Sequence, residues 1–473
     1  MGTRSSLTQN VQQFQQATLT QIEDRFARFL PQHLLDPRAL GDYSRQRIFT
    51  LSRTFWCFLW QMLQSNTSLR EVVRQVQALF ELRGGRPVDE RTGAYTQARG
   101  KLPLSVLRQA LHATAAAAQR LAPSTATLGG RRLRAVDGST CRLADTSLNQ
   151  KLFPQRNNQQ PGCGFPIMRL VVLFCLASGV VLAVRVGCFC AGDLRLCYAL
   201  LDQLRPKDIL MGDRYFANFP LIALLQSRGI DFLGRVNTTT RRVDFRKGQR
   251  LGKDQQLSIW CKGPTAGKWL KKSIFATLPE QITVRLVRIA VGQKGFRCRG
   301  LILVTTLLDS KQFPAQEIAK AYLRRWRLEL CLDDLKTTLN LKQLKCQTPK
   351  MGYKELLVGL IAYNLIRCLM AEAASSHQVS LDRISFKGSL DALRQFSAAS
   401  SQARTRKVRR ELWDLLLKTL ALDSIPDRPG RREPRAVKLI AKYDKLTRHR
   451  HLQRDRPGRN VRKSQSTKRQ RII

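Results

Sequence analysis

The chain has 473 residues, 43% of them hydrophobic, enough to bury a substantial core and too long for one compact core, so two or three domains are expected. Lys and Arg number 82 against 34 Asp and Glu, a formal net charge of +48 that would destabilise a compact state by self-repulsion unless a polyanion bound it. Nucleic acid fits, because each neutralised phosphate releases counterions, whereas no amphipathic basic helix dominates the ends as a membrane-surface protein would need.

The opening MGTRSSLTQNVQQFQQ has no apolar h-region, so no secretory signal is expected. The twelve cysteines are scattered without a CxxC pair, and only Cys188 and Cys190 stand close together, which argues against structural zinc and for reduced thiols in a cytoplasmic protein. Residues 1–125 carry helical spacing and form an expected helical N-terminal domain that binds DNA. Ser68-Leu-Arg-Glu71 reads as a capping box before Val72, Val73, Val76, Leu79 and Phe80, and Gly84-Gly85 ends that helix. Pro103 opens a further helix through Leu107 and Leu111. The pair is compatible with a helix-turn-helix, although helical pairs are common without that role.

From about residue 130 the pattern turns to strands: LRAVDGS, then two buried strands within 168–187 joined at Ala177-Ser178-Gly179, then DILMGD after an amphipathic stretch from Leu194 to Leu204. The apolar run Leu170 to Val184 is too short and too interrupted to span a membrane. Residues 231–309 read as short β segments, with VRLVRIAVG and GLILVTTLL the clearest. Pro314 to Leu341 and Tyr353 to Ala374 are expected helices, and residues 401–473 a basic C-terminal region with Pro-Gly breaks at 429–430 and 457–458. GPTAGKW at 263–269 fails as a phosphate loop, having one residue too few between its glycines and Trp after its Lys, so no nucleotide cofactor is expected.

Three acids occupy special positions. Asp137 ends the apolar run Leu133 to Val136, and Asp213 ends Ile209-Leu210-Met211-Gly212. A carboxylate where a buried strand emerges is fixed by the sheet yet reaches solvent, although a single such Asp is usually a turn residue or helix cap. Two at neighbouring strand ends would repel unless a cation lay between them, and all-oxygen ligation suits Mg²⁺ or Mn²⁺. Asp145 reads as a turn residue beside Thr146 and Asn149. The third acid, Glu329, lies in AYLRRWRLELCLDDLK. At about 100° per residue, Tyr322, Arg325, Glu329 and Lys336 fall within an arc of roughly 60° on one helix face. An i,i+4 surface pair of Arg325 and Glu329 is the plain alternative, at about 0.3–0.5 kcal/mol, but it leaves Tyr322 and Lys336 unexplained. A metal ligand flanked by phosphate contacts explains all four, with Asp333 near the same arc as a rival ligand.

On these residues the chain resembles the insertion sequence 4 family of DDE transposases, whose helix signature is Tyr, two residues, Arg, three residues, Glu, six residues, Lys. Tyr322, Arg325, Glu329 and Lys336 fit every spacing, and Trp326 matches the aromatic that often follows the arginine. VDGSTCRLADTSLN at 136–149 and LRPKDILMGDRYF at 204–216 resemble the segments around the family's two catalytic Asp residues, and RPGRREPRAVK at 428–438 a basic segment near its C-terminus.

The resemblance implies an α/β fold: an RNase H-like catalytic core (126–230 and 310–400) interrupted by a β-rich insertion (231–309), with the α-helical N-terminal domain and basic C-terminal tail at either end. It further implies that Asp137, Asp213 and Glu329 are catalytic and hold two Mg²⁺ or Mn²⁺ ions. Tyr322, Arg325, Trp326 and Lys336 would contact DNA. Implied partners are the terminal inverted repeats and target DNA, bound by a homodimer in the synaptic complex, in the nucleoid of a bacterium and with no membrane. Some family members form a DNA hairpin and stack a flipped base on a tryptophan; here Trp260 and Trp269 are the insertion's only candidates, a core or strand-face placement is the preferred reading for either, and the hairpin step stays open. A DNA-binding protein that does not cut and a metal-dependent nuclease that does not join are the competing functions. The intact acidic triad argues against the first, and only strand-transfer products separate the second.

Overall fold

A computed structural model of the chain describes residues 23, 25–36 and 48–426, apart from short gaps at 65, 83–86, 123–126, 157–159, 161, 266, 291–299 and 402–404. Gly84-Gly85 and the basic segment 428–438 lie outside the described residues. Two compact units are present. One contains the chain up to residue 123, with 333–341 and 350–426; the other contains 124–332 and 342–349. The expected boundaries at 310 and 400 are therefore not where the chain changes unit. The C-terminal helices group with the N-terminal ones, a long-range association that local sequence pattern does not encode.

In the helical unit, α1 (Leu51–Leu63) starts at Thr50, whose hydroxyl accepts the Arg53 N–H. The Ser68 hydroxyl accepts the Glu71 N–H at 3.1 Å, as the capping box requires, and α2 (Leu69–Leu82) follows. α3 (Gly93–Lys101) and α4 (Leu104–Leu121) come next, the latter with Pro103 at its N-cap.

The second unit is built on a ten-stranded sheet in the order β4-β3-β2-β5-β6-β10-β9-β8-β7, with β1 (Thr127–Leu128) paired to β2. β2 (Arg131–Arg142), β3 (Ile167–Cys175) and β4 (Val181–Cys188) form an antiparallel meander, with α5 (Ser147–Leu152) between β2 and β3. Gly179, at φ 71°, supplies the left-handed residue in the β3–β4 turn expected at Ala177-Ser178-Gly179. After α6 (Asp193–Tyr198) the chain enters β5 (Ile209–Gly212), crosses through α7 (Phe219–Ser227) and returns as β6 (Asp231–Arg235). β2, β5 and β6 are mutually parallel. The Asn218 side chain caps α7 by accepting the Leu221 N–H, and α7 packs Leu221, Ile222 and Leu225 onto Val136, Leu210 and Phe232 of the sheet. The mixed α/β class expected from the sequence is the class observed.

β6 was expected to open the insertion, but its parallel pairing with β5 makes it part of the central sheet. Beyond it lie β7 (Gln249–Gly252), β8 (Gln255–Cys261), α8 (Lys272–Ala276), β9 (Gln281–Ala290) and β10 (Gly300–Thr305). These strands do not form a separate sheet, because β10 pairs antiparallel with β6 and so extends the sheet across. α9 (Ala315–Leu323) then leads to a 3₁₀ turn at Arg324–Trp326, α10 (Arg327–Asp333) and a π-helical turn at Asp334–Thr338.

One buried cation ties this outer half of the sheet to the segment entering α9. Arg285 on β9 is fully buried, and its guanidinium donates to the carbonyls of Leu307 (3.4 Å), Asp309 (3.3 Å) and Phe313 (2.7 Å) and to the Gln255 side chain. Arg285→Met should therefore lower stability by about 3 kcal/mol or more in urea unfolding, because it leaves several buried acceptors without donors. Arg285→Lys should recover little of this, since an ammonium lacks the planar fork that reaches several carbonyls at once.

The remaining helices return to the helical unit: α11 (Pro349–Ser376), α12 (Phe386–Ser401) and α13 (Arg406–Leu422). α11 is long and apolar enough by composition to cross a membrane, yet 94% of its most apolar window is buried in the protein. Its polar groups are matched there. The Lys354 ammonium donates to the carbonyls of Arg99 (3.3 Å) and Gly100 (2.7 Å) at the end of α3, and the Asn364 amide to Thr114 Oγ1 (3.4 Å). No disulfide joins the described cysteines.

Candidate active site

Asp137 lies within β2 and not at its end, which differs from the sequence expectation. The strand continues to Arg142 because β3 pairs with it throughout, with Asp137 opposite Val172. On its other side the support stops. β5 runs beside β2 in the register Leu133↔Ile209, Arg134↔Leu210, Ala135↔Met211, and ends at Gly212. Extended by two residues, that register sets Asp213 beside Asp137, where the β2 edge has lost its neighbour.

The local sequence explains both positions. Asp213 terminates β5 by turning the chain: its Oδ1 accepts the Tyr215 N–H at 2.8 Å, and its carbonyl accepts the Phe216 N–H at 3.2 Å. Gly212 is needed there, since a Cβ would lie 2.7 Å from that of Phe216. Gly138 is needed too: a Cβ would meet the Asp193 carboxylate at 2.7 Å, and that carboxylate pairs with Arg169 at 2.8 Å. Asp145 accepts from the Gln150 amide at 2.9 Å.

Glu329 sits in the first turn of α10 and pairs with Arg325 at 3.6 Å. Asp213, Glu329 and Arg325 all lie close enough to Asp137 to act on its carboxyl. Burial, the largest influence, pushes the Asp137 carboxyl up to about 6; the Gly138 N–H (2.8 Å) and Arg325 oppose this, while Asp213 and Glu329 add to it. Two negative charges and one guanidinium therefore act together on Asp137.

Tyr322 belongs to the same cluster but is not a surface contact. It is 6% exposed, burial pushes its phenol up, and the Arg325 guanidinium lies 5.7 Å from its ring centroid and hydrogen-bonds its hydroxyl. Its hydroxyl is engaged by Arg325, which differs from the open phosphate contact expected for it. The single straight helix face is corrected as well. The 3₁₀ turn at Arg324–Trp326 and the π turn at Asp334–Thr338 break the uniform 100° step, so the alignment of Lys336 with Glu329 does not follow from their spacing. Lys336 lies in that π turn, in a segment grouped with the helical unit. Asp333 accepts from the Thr337 hydroxyl at 2.9 Å, and burial pushes Asp334 up to about 7. Trp326 is 42% exposed.

Trp260 takes the core placement and not the stacking one: it is 2% exposed, in one hydrophobic core with Ile282, Val284 and Leu286 and with Leu210 and Phe232 of the central sheet, and the Arg241 guanidinium lies 4.1 Å from its ring centroid. Trp269 is half-buried against that core and 6.3 Å from the Tyr198 ring. Trp260→Ala should destabilise the protein by about 3–5 kcal/mol in thermal or urea unfolding, and Trp269→Ala by much less.

One residue escaped the sequence reading. The β5–β6 register pairs Gly212 with Gly234, so Arg235 ends β6 at the level of Asp213, and it influences the Tyr322 phenol together with Asp213. Its sequence signal is a cation closing a short apolar strand, which takes on meaning only once β6 pairs with β5.

Among the described residues, no three Asp, Glu, His or Cys side chains form a ready metal cage. Asp137 and Asp213 each accept a backbone N–H, and Glu329 faces Arg325. The donor set nevertheless fits a divalent cation: three carboxylates in one electrostatic cluster, one of them held up near 6, where a cation would relieve both burial and like-charge repulsion.

An acid within β2, a second just past the end of β5 and a helical Glu are an arrangement suited to phosphodiester chemistry, and comparison with known proteins gives its class. The family model described as Transposase DDE domain matches residues 128–365, half of the chain, and the chain belongs to that family. Within it the chain is an insertion sequence 4 type transposase. It is 26% identical over 333 residues to transposase InsG for insertion sequence element IS4 of Escherichia coli K12, covering 70% of this chain and 72% of that one. It is 23% identical over 187 residues to the putative transposase InsL for insertion sequence element IS186A of the same organism, covering 35% of this chain and 50% of that one. A cryo-EM structure of the piggyBac transposase synaptic complex with hairpin DNA aligns with TM-score 0.42 and 11% identity over 89% of this chain and 87% of that one, too weak a likeness to build on. Dependence on a divalent metal is general to the DDE family.

Proposed function

We propose that this protein binds the terminal inverted repeats of its own insertion sequence and catalyses DNA cleavage and strand transfer by cut-and-paste transposition, with Asp137, Asp213 and Glu329 as the catalytic acids. The observation that carries the reading is the β2–β5 register, which continued by two residues sets Asp213 beside Asp137, together with the reach of Asp213 and Glu329 to the Asp137 carboxyl, which burial above all pushes up to about 6. The strand order β4-β3-β2-β5-β6, antiparallel then parallel, supports an RNase H-like core in which the segment between β6 and β10 is the insertion.

The acids would hold two Mg²⁺ or Mn²⁺ ions, which when bound supply an acidified water or 3′ hydroxyl as nucleophile and stabilise the leaving oxygen. The chain's own residues do the rest. Asp137 on β2 and Asp213 in the turn after β5 are each fixed by a backbone donor, so the phosphate meets a preorganised surface. Arg325, held by Tyr322 and 16% exposed, directs its guanidinium toward the carboxylates and is placed to orient a phosphodiester against them. Trp326 offers an exposed ring to DNA, and Lys336 a phosphate contact. The first step hydrolyses one phosphodiester at the element end; the released 3′ hydroxyl then attacks a target phosphodiester, exchanging one ester bond for another without a nucleotide cofactor. The N-terminal helices and the basic C-terminal region contribute DNA affinity, two copies hold the two element ends in the synaptic complex, and the protein acts in the bacterial cytoplasm.

The test is incubation of purified protein with Mg²⁺ and DNA carrying the inverted repeats that flank its gene. Nicked and joined products are expected. Nicks without joining would support a nuclease, and binding without nicks a DNA-binding protein.

A further inference from the structure

The sheet carries a second concave site at the opposite ends of the strands that bear Asp137 and Asp213. It is a cavity of about 490 Å³ lined by Gly129, Gly130, Arg131, Arg132, Lys207 and Gln312, among others. Asp137 lies six residue steps along β2 from Arg131, so at about 3.3 Å per step the cavity lies roughly 20 Å from the carboxylates.

Its cations are held ready. Arg131 pairs with Asp231 and lies over the Phe313 ring, 5.3 Å from the centroid. The Arg132 Nε lies 2.8 Å from Asp208, a carboxylate 1% exposed that Arg134 shares from the buried side at 3.6 Å. Lys207 is exposed, has no carboxylate partner among the described residues, and its backbone N–H is fixed to the Gly229 carbonyl at 2.8 Å. The walls are equally constrained. Gly129, at φ 55°, lets the β1–β2 hairpin close onto Phe313, where any Cβ would strike the ring, and Arg285 holds the Phe313 carbonyl. The result is a rigid, open cavity with more cations than carboxylates, guanidinium N–H groups left over from their ion pairs, and the Gln312 amide at its rim.

We propose that this cavity binds a backbone phosphodiester of the DNA the protein acts on, as a second anchoring point away from the reacting strand. Fixed guanidinium groups beside an unneutralised ammonium suit a phosphate ester. An open cavity suits a polymer passing across it better than a small enclosed anion. At 3.4 Å per base pair, the 20 Å separation corresponds to about six base pairs. The proposal rests on the DNA-binding part of the function above: a wild-type protein that failed to bind DNA would defeat that reading, whereas variants that bind like wild type would defeat only this one.

The test uses the full chain, with Lys207→Glu and Gln312→Glu in the cavity and Lys387→Glu, on an exposed residue of α12, as a control for net charge. Fluorescence anisotropy over a salt series compares an element-end duplex with one extended about ten base pairs on both sides. On the extended duplex each cavity variant should bind about five- to tenfold more weakly, with a salt slope reduced by about one, while on the short duplex all proteins should bind alike. Unfolding curves matching wild type establish that the variants are folded. Wild-type affinity and slope in both cavity variants, or an equal loss in Lys387→Glu, would overturn the proposal. So would calorimetric binding of inorganic phosphate that these variants abolish while leaving DNA affinity unchanged, which would assign the cavity to a free anion.

Discussion

Asp137→Asn should abolish DNA cleavage and at the same time stabilise the metal-free protein at neutral pH. Loss of a carboxylate from a triad that acts as a unit is expected to lower cleavage by about 10³-fold or more. The stability effect follows from the pKa. A carboxyl raised in the folded state to about 6 binds its proton more tightly there than in the unfolded chain. Its contribution is therefore fully favourable below about pH 4 and is lost as pH rises through about 6, leaving a buried charge above that. Asparagine removes the charge, so urea unfolding in chelator should show a gain of roughly 1–3 kcal/mol at pH 7.5 and none near pH 4, after allowance for partial solvent screening. A variant that is both inactive and more stable separates an active-site role from a packing role, which would cost stability at every pH.

Arg325→Gln should lower cleavage by about 100-fold, the scale seen when one preorganised donor to a reacting oxyanion is lost. It should also move the pH dependence. The Arg325 guanidinium holds Asp137 down in the metal-free protein, so without it the carboxyl takes its proton at a still higher pH, metal binding has to displace that proton, and the rising limb of the rate profile at subsaturating Mg²⁺ shifts to alkaline values. Tyr322→Phe removes a hydrogen bond and keeps the cation, so it should lose less activity and leave the limb in place. An unshifted limb in Arg325→Gln would place the arginine outside the influence of the acids and return it to a surface ion pair with Glu329.

The two Asp positions were legible because a buried apolar run that stops at a carboxylate carries the same meaning in sequence and sheet. Asp213 fits that rule. Asp137 fits it only on one side, because β3 continues the ladder past it while β5 ends. Glu329 was found through spacing, and its local relation to Arg325 and Tyr322 held over one turn. Extrapolating the same helix to Lys336 failed, since the 3₁₀ and π turns depend on packing that a uniform angular step ignores. Arg235 was overlooked because β6 reads as the start of the insertion until its parallel pairing with β5 is known. Trp260 is buried as a large aromatic on a strand usually is, in a core that the insertion shares with the central sheet. The grouping of α11–α13 with the N-terminal helices is likewise a long-range contact without a local signature.

The central claim is that Asp137, Asp213 and Glu329 form one cleavage site. It is tested most directly by measuring strand nicking on an element-end duplex in Mg²⁺ for Asp137→Asn, Asp213→Asn and Glu329→Gln, with DNA affinity measured on the same preparations. The expected result is loss of nicking by about 10³-fold in each variant with DNA binding retained. Nicking at the wild-type rate in any one of the three would contradict the account.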